Sequence, residues 1–156
     1  MQVKEIMTPA PKFCRVDTNL AVAAELLWTT NCGTLPVVDE GGKVVGMITD
    51  RDICIAVGTR NRLPSEVEAG EVVAWRLFAC APEDDIHEAL ETMKSEKVRR
   101  LPVLGSSGSL EGILSLNDVA VRAANRKGDI SYADVADTLK AICEHTMPES
   151  RAVAAA

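Results

Sequence analysis

The stretch LPVVDEGGKVVGMITDRDI, residues 35–53, is written a second time as LPVLGSSGSLEGILSLNDV, residues 101–119. The offset is 66 positions, and it holds without a gap for residues 14–53 against 80–119. Leu35-Pro36-Val37 meets Leu101-Pro102-Val103, Gly46 meets Gly112, and Asp52 meets Asp118. Further out, Cys14, Ala23 and Glu25 meet Cys80, Ala89 and Glu91. Self-similarity at one fixed spacing is the mark of a repeated structural unit.

Both copies share a local grammar. Thr18 and Asn19 open an amphipathic helix with Leu20, Ala23, Ala24 and Leu27 on one face. In the second copy Asp84 and Asp85 open it, and Ile86, Ala89, Leu90 and Met93 form the stripe. Acidic residues there suit the positive end of a helix dipole. Short apolar strands are predicted at 35–38 and 44–48, and again at 101–104 and 110–114. The turns between them, residues 40–43 and 106–109, carry glycine where a positive φ is required. A second helix follows Thr49 or Ser115 directly. Each unit therefore reads β-α-β-β-α.

The predicted fold is α/β of the α+β type: two tandem repeats packed sheet to sheet with pseudo-twofold symmetry. A unit of this size cannot bury a sheet face alone. The expected division is a first motif at 1–63, a second at 64–127, and a C-terminal helix and tail at 128–156. Residues 54–70 read as a helix end and a polar linker. Residues 119–126 extend the last helix of the second copy, Gly128-Asp129 break it, and 131–144 form a further helix with Val135, Leu139 and Ile142 apolar. Residues 151–156 are expected to fray.

Composition narrows the function classes. Of 156 residues, 47% are hydrophobic and 26% charged, as in a folded soluble protein. Aromatics are only 3%, so the core must be aliphatic. The longest apolar stretch, residues 20–28, contains Glu25 and is far short of the roughly 20 residues of a membrane span. The N-terminus lacks the pattern of a signal peptide. The net charge of −6 disfavours nucleic acid as the main partner but leaves room for a small anion. Five cysteines (14, 32, 54, 80 and 143) and two histidines (His87 and His145) show no zinc-ligand spacing. They read as reduced thiols in a cytoplasmic protein.

The element that carries chemistry is Thr49-Asp50-Arg51-Asp52 and its counterpart Ser115-Leu116-Asn117-Asp118. It stands where a strand meets a helix N-terminus, whose unpaired N–H groups welcome a phosphate. The carboxylate one turn on can accept two hydrogen bonds from a ribose diol. The same pattern is also a capping box, in which the carboxylate satisfies backbone donors and binds nothing. Ahead of the second apolar strand stand Arg99 and Arg100, where the first copy has Gly33 and Thr34. Neighbours on a strand point to opposite faces, so only one of the two arginines can face a given site.

Taken together, EIMTP at 5–9, the stretch at 35–53 and RRLPVLGSSGSLEGILSLNDV at 99–119 resemble the CBS domain pair, or Bateman module. The resemblance covers about residues 1–125, with Ala74-Trp75-Arg76 departing from the motif that opens the first copy as Met-Thr-Pro. It implies a stand-alone, non-catalytic regulatory module. Such a module binds AMP, ADP or ATP, or the related NAD or S-adenosylmethionine, in two clefts between the halves, and requires no cofactor. The family further implies a homodimer, with helices from each half in contact, and an unknown regulated protein.

By the family layout, one cleft would draw on Thr18, Ala23, Gly33, Thr34, Arg99, Arg100, Ser115, Asn117 and Asp118. The other would use Thr49, Arg51, Asp52, Phe78 and Val98, with Ala89 nearby and Asp84 in the place of Thr18. A second carboxylate near a phosphate is unfavourable, so the Asp118 cleft is expected to be the stronger. Adenine would rest on Phe13, Cys14 and Val16, or on Phe78 and Cys80, all of which read equally as core. Trp75 reads as core or as a cleft rim. Two other functions compete: a structural homodimerisation module with vestigial clefts, and an enzyme using Cys32 or Cys54, which lacks any histidine at a recognisable spacing.

Overall fold

The computed structural model describes residues 1–124 and 129–144. Its elements follow the predicted grammar, except that the second repeat has an isolated Cys80–Val103 bridge in the place of an opening strand. The first repeat holds strand β2 (Cys14–Arg15), helix α1 (Leu20–Thr29), strands β3 (Thr34–Val38) and β4 (Val44–Thr49), and helix α2 (Asp50–Arg60). The second holds helix α3 (Ile86–Glu96), strands β5 (Arg100–Leu104) and β6 (Leu110–Ser115), and helix α4 (Leu116–Arg122). A two-residue strand β1 (Thr8–Pro9) precedes both repeats, and helix α5 (Tyr132–Cys143) follows them.

Local chemistry accounts for these boundaries. Asn19 caps α1 by accepting from Val22 N, and Asp85 caps α3 by accepting from His87 N. Thr18 sits one residue earlier, its Oγ1 accepting from Arg15 N at 2.9 Å. The two hairpins turn on Gly42 and Gly108, with φ of 78° and 80°. α2 closes on Asn61 in the left-handed region. α4 is shorter than expected: it ends at Arg122, because Ala123 turns extended. The predicted continuation to residue 126, the break at Gly128, His145 and the tail at 151–156 lie outside the described residues.

The strands form two three-stranded sheets, ordered β2-β3-β4 and β1-β6-β5. β3 pairs antiparallel with β4, and β5 with β6, in matched registers: Leu35 faces Ile48, and Leu101 faces Leu114. Burial is organised as two clusters, one per repeat, in place of a single shared core. Leu20, Ala23, Leu35, Val37 and Ile48 centre the first; Ile86, Leu90, Met93, Leu101 and Leu114 centre the second.

Each cluster is completed by a segment from outside its own repeat. Val3 and Ile6, at the chain start, are buried in the second cluster, and β1 runs antiparallel to β6. Val67 and Ala69, from the stretch read as a polar linker, and Val73 just beyond it are buried in the first. There Ala74 bridges to Met47 as Thr8 pairs with Ile113. This crossing explains the repeated glycine of the hairpins. A Cβ at Gly46 would lie 2.5 Å from Val73 Cγ2 and 2.7 Å from the Ala74 carbonyl oxygen. One at Gly112 would meet Met7 Sδ at 2.5 Å and the Thr8 oxygen at 3.1 Å. Trp75, beside the first crossing, is 65% exposed and so is not core; it lines neither of the two cavities described below.

α5 packs across α3 and α4 and begins on a third capping box. Asp134 Oδ2 accepts from Ser131 Oγ and Ser131 N, each at 2.7 Å. The Ser131 hydroxyl, then the Ser131 N–H, and the nearby His87 and Lys94, hold the Asp134 carboxyl below its ordinary range. A depressed native pKa contributes stability that is complete above the unfolded value, about 3.9, and vanishes as pH falls through the native one. The stability advantage of the native chain over Asp134→Asn, read from urea midpoints, is therefore expected to be full at pH 7 and to shrink below about pH 4. An advantage of equal size at pH 7 and pH 3 would remove the ionised cap from the description of α5.

Candidate functional site

The second repeat and the chain start enclose a cavity of about 440 Å³, within the range of small-ligand sites. One wall is Arg100 of β5, Ile113 and Ser115 of β6, and Asn117 and Asp118 of α4. Thr8, Ala10, Pro11 and Lys12 form a second side, and Thr30, Asn31 and Cys32, at the end of α1, a third. The cavity thus lies between the repeats, with residues from both.

Its floor is set by the capping box. Asp118 Oδ2 accepts from Ser115 N at 2.8 Å and from Ser115 Oγ at 2.6 Å, and Asp118 N donates to Ser115 Oγ at 3.2 Å. One carboxylate oxygen is therefore committed to the cap. The other, Oδ1, makes no hydrogen bond among the described residues. The cap thus uses one oxygen of the side chain and leaves the other available on the cavity side.

Arg100 stands opposite Ser115 in the β5–β6 register. Its half-buried guanidinium has no ion pair or hydrogen bond among the described residues, and its Nη2 lies 3.9 Å from where a Cβ would stand on Gly33 of the first repeat. Arg99 points the other way, with Nη2 3.8 Å from Cys143 Sγ on α5. Only one arginine of the pair faces the cavity, as strand alternation requires. Two left-handed non-glycine residues, Ala10 (φ 47°) and Asn31 (φ 51°), also line it. Such conformations cost on the order of 1–3 kcal/mol each and gather at ligand sites.

The structure brings Arg100, Ser115, Asn117 and Asp118 together here and leaves the other residues assigned to this cleft outside it. Thr18 is spent on the turn before α1. Ala23 is fully buried in the first core. Thr34 is buried in β3, its Oγ1 donating to the Ile48 carbonyl at 3.0 Å. Gly33 accepts from Asp50 N and lines a neighbouring groove. The first repeat reaches the cavity through the end of α1, not its start. Lys12 and Asn31 were not singled out from sequence; the Thr8-Pro9 signature before Lys12 was the available signal, since β1 carries that segment over β6.

On the other side, Thr49 and Asp52 close the same box: Thr49 N and Oγ1 donate to Asp52 Oδ2 at 2.9 and 2.6 Å. Neither cavity described here takes in Thr49, Arg51, Asp52, Phe78 or Val98. Phe78 and Val98 pack against the second core. The Arg76 guanidinium lies 4.6 Å above the Phe78 ring and pairs with Glu96 at 3.0 Å. Asp84 turns back to accept from Ala81 N at 2.7 Å. Of the adenine candidates, Cys14 and Cys80 are core. Burial pushes the Cys14 thiol up to about 11 and the Cys80 thiol up to about 12, the latter with help from Asp84. Val16 packs on the first core, and Phe13 is exposed. No group of three metal-ligating side chains occurs among the described residues, and none of their helices is long and apolar enough to cross a membrane.

Comparison with known proteins identifies the family and the fold. An uncharacterised protein of Bacillus subtilis, YlbB, is 31% identical over 140 residues, covering 85% of this chain and 93% of that one. Inosine-5'-monophosphate dehydrogenase of Methanocaldococcus jannaschii is 33% identical over 138 residues; the match spans 84% of this chain but only 25% of the enzyme. Among solved structures, CBSX2 in complex with AMP superposes with a TM-score of 0.66 at 26% identity, over 77% of this chain and 93% of that one. The CBS domain pair of MJ0100, in complex with 5'-methylthioadenosine and S-adenosyl-L-methionine, gives 0.68 at 26%, over 78% and 98%. The CBS domain family matches twice, at residues 3–58 and 69–125. The chain belongs to the CBS domain family and carries two CBS motifs in tandem.

Proposed function

We propose that this chain is a non-catalytic regulatory module that binds an adenine nucleotide (AMP, ADP or ATP) in the Asp118 cleft and signals its occupancy to a separate protein. One observation carries the reading: Arg100 and an oxygen of Asp118, both without a hydrogen-bond partner among the described residues, line the same cavity between the repeats. A guanidinium without a protein partner suits a phosphate, to which it can donate two parallel hydrogen bonds. The free carboxylate oxygen suits a ribose hydroxyl, and it sets the sugar apart from the phosphate by repulsion. Lys12 adds a second cation, and Ile113 with Pro11 offers apolar surface for the base.

CBS pairs among the structural neighbours bind adenosyl ligands, AMP in one and S-adenosyl-L-methionine with methylthioadenosine in another. The cations of the Asp118 cleft favour the phosphate-bearing members of that set over a sulfonium. The Asp52 side is the weaker in this reading. Its box is formed, but its aromatic candidate is covered by Arg76. The module has no reaction of its own in this account.

A calorimetric titration of the full chain against AMP, ATP, NAD and S-adenosylmethionine tests the reading. Heat from the phosphate-bearing ligands with one dominant site is expected. Heat from S-adenosylmethionine alone would reassign the ligand. No heat from any of the four would leave a structural module whose clefts are vestigial.

A further inference from the structure

The first repeat sets a carboxylate close behind Arg100. Asp50 is the first residue of α2, and Arg100 opens β5 of the other repeat. Asp50 Oδ2 lies 3.3 Å from where a Cβ would stand on Gly33, and Arg100 Nη2 lies 3.9 Å from that same point. The two groups approach one spot from opposite repeats, and no more than the sum of those distances separates them. Asp50 Oδ1 accepts from Arg51 N at 2.7 Å, while Oδ2 has no donor or ion pair among the described residues.

The charge is particular to one repeat. The counterpart of Asp50, 66 positions on, is Leu116, which is buried at the start of α4. This kind of helix start therefore does without a carboxylate at its first residue. In α2 the first turn is already served by the box between Thr49 and Asp52. Gly33 answers to Arg99 in the second repeat. A Cβ at position 33 would crowd the Asp50 carboxylate, so the glycine leaves room for it beside Arg100.

The groups run in an order that bears on the length of a ligand. Asp118 and Arg100 line the nucleotide cavity. Asp50 lines the neighbouring groove, of about 480 Å³, and the two spaces share Asn31 and Cys32. Lys12 and Arg100 are the only cations among the described residues that line the nucleotide cavity. Two cations match a single phosphate, whose charge at neutral pH is about −1.5 to −2. A longer phosphate chain adds charge that no third lining cation meets, and Asp50, beyond Arg100, repels it.

We propose that Asp50 is a specificity residue of the Asp118 cleft: it turns away di- and triphosphates and leaves the site to a nucleoside monophosphate. The inference rests on the nucleotide reading above and narrows its ligand class. Discrimination then comes from a repulsive group as much as from the attractive ones.

Calorimetric titration of the full chain with AMP and with ATP, each with and without magnesium, tests this on the native protein and on Asp50→Asn. The amide keeps the size of the side chain and can still accept from Arg51 N. The native chain is expected to bind AMP about tenfold more tightly than ATP. Asp50→Asn is expected to tighten ATP binding by about three- to tenfold, the effect of one partly screened charge, and to change AMP binding by less than about twofold. A general loosening of α2 would move both ligands together, so the ratio of the two affinities isolates the charge. An unchanged ratio in Asp50→Asn, with AMP still bound, would overturn the role of Asp50 and leave the nucleotide reading standing. ATP held more tightly than AMP in magnesium, and lost in Asp50→Asn, would also overturn it, because the carboxylate would then hold a cation for the phosphate chain. No binding of either nucleotide to the native chain would overturn the nucleotide reading and this inference together.

Discussion

Asp118→Ala is expected to weaken AMP binding by about ten- to a hundredfold, and Arg100→Ala by a similar factor, while Asp52→Ala changes it little. The magnitude follows from a hydrogen bond to a charged group, worth about 1.5–3 kcal/mol, with every 1.4 kcal/mol a factor of ten. Asp118→Ala also removes a helix cap, so lost binding could reflect a loosened α4 and not a lost contact. Asp134→Ala supplies the control. Its carboxylate makes the same bonds to Ser131 that Asp118 makes to Ser115, but it stands on α5, outside the cavity. Binding should survive Asp134→Ala. Calorimetry on the four variants separates the two roles. Equal losses from Asp118→Ala and Asp52→Ala would contradict the assignment of the stronger cleft, and so would no loss from either.

The largest expected effect on stability comes from a position that looks unimportant. Val67 lies between Glu66 and Glu68 in a stretch rich in polar residues, yet it is fully buried in the first core. Its carbonyl also accepts from Leu20 N, fixing the start of α1. Val67→Asp would place a carboxyl in the apolar first core with no partner designed for it. Burial of an unpaired charge is among the few single changes that cost about 4 kcal/mol or more. A large share of the chain is then expected to be unfolded at 37 °C by circular dichroism. Leu63→Asp, four residues earlier and exposed, is expected to be near neutral. Similar melting curves for the two variants would show that the linker does not complete the first core.

These two cases mark what the amino-acid order discloses here. The hairpins were legible because Gly42 and Gly108 announce a left-handed turn, and the helices because Asn19, Asp85, Thr49, Ser115 and Ser131 are capping residues ahead of apolar stripes. α5 was legible for the same reason. What escaped was every feature made by a short segment meeting a distant one. β1 has two residues, too few for any periodicity, so its crossing to β6 left no pattern beyond the Thr8-Pro9 signature. Val67 is an isolated apolar letter, and Val73 stands in a four-residue apolar run too short for any periodicity; the burial of both depends on the sheet they meet.

The candidate cleft divides along the same line. Arg100, Ser115, Asn117 and Asp118 belong to contiguous strand and helix ends, and they meet. Ala23 and Thr34 were placed by family layout, but a small apolar residue on a helix stripe and a threonine flanked by apolar strand residues are also what a core uses. Lys12 and Asn31 reach the cavity only through the crossing and through the left-handed exit of α1. The capping pattern alone could not decide its own role, since it occurs three times and faces a cavity lined by its carboxylate once among those described here.

The most direct measurement is a crystal structure of the full chain grown with AMP. The account predicts the nucleotide between the end of α1 and the start of α4, its phosphate on the Arg100 guanidinium and a ribose hydroxyl on Asp118 Oδ1. Nucleotide bound elsewhere, with Arg100 turned to solvent and the cleft filled by protein atoms, would contradict it.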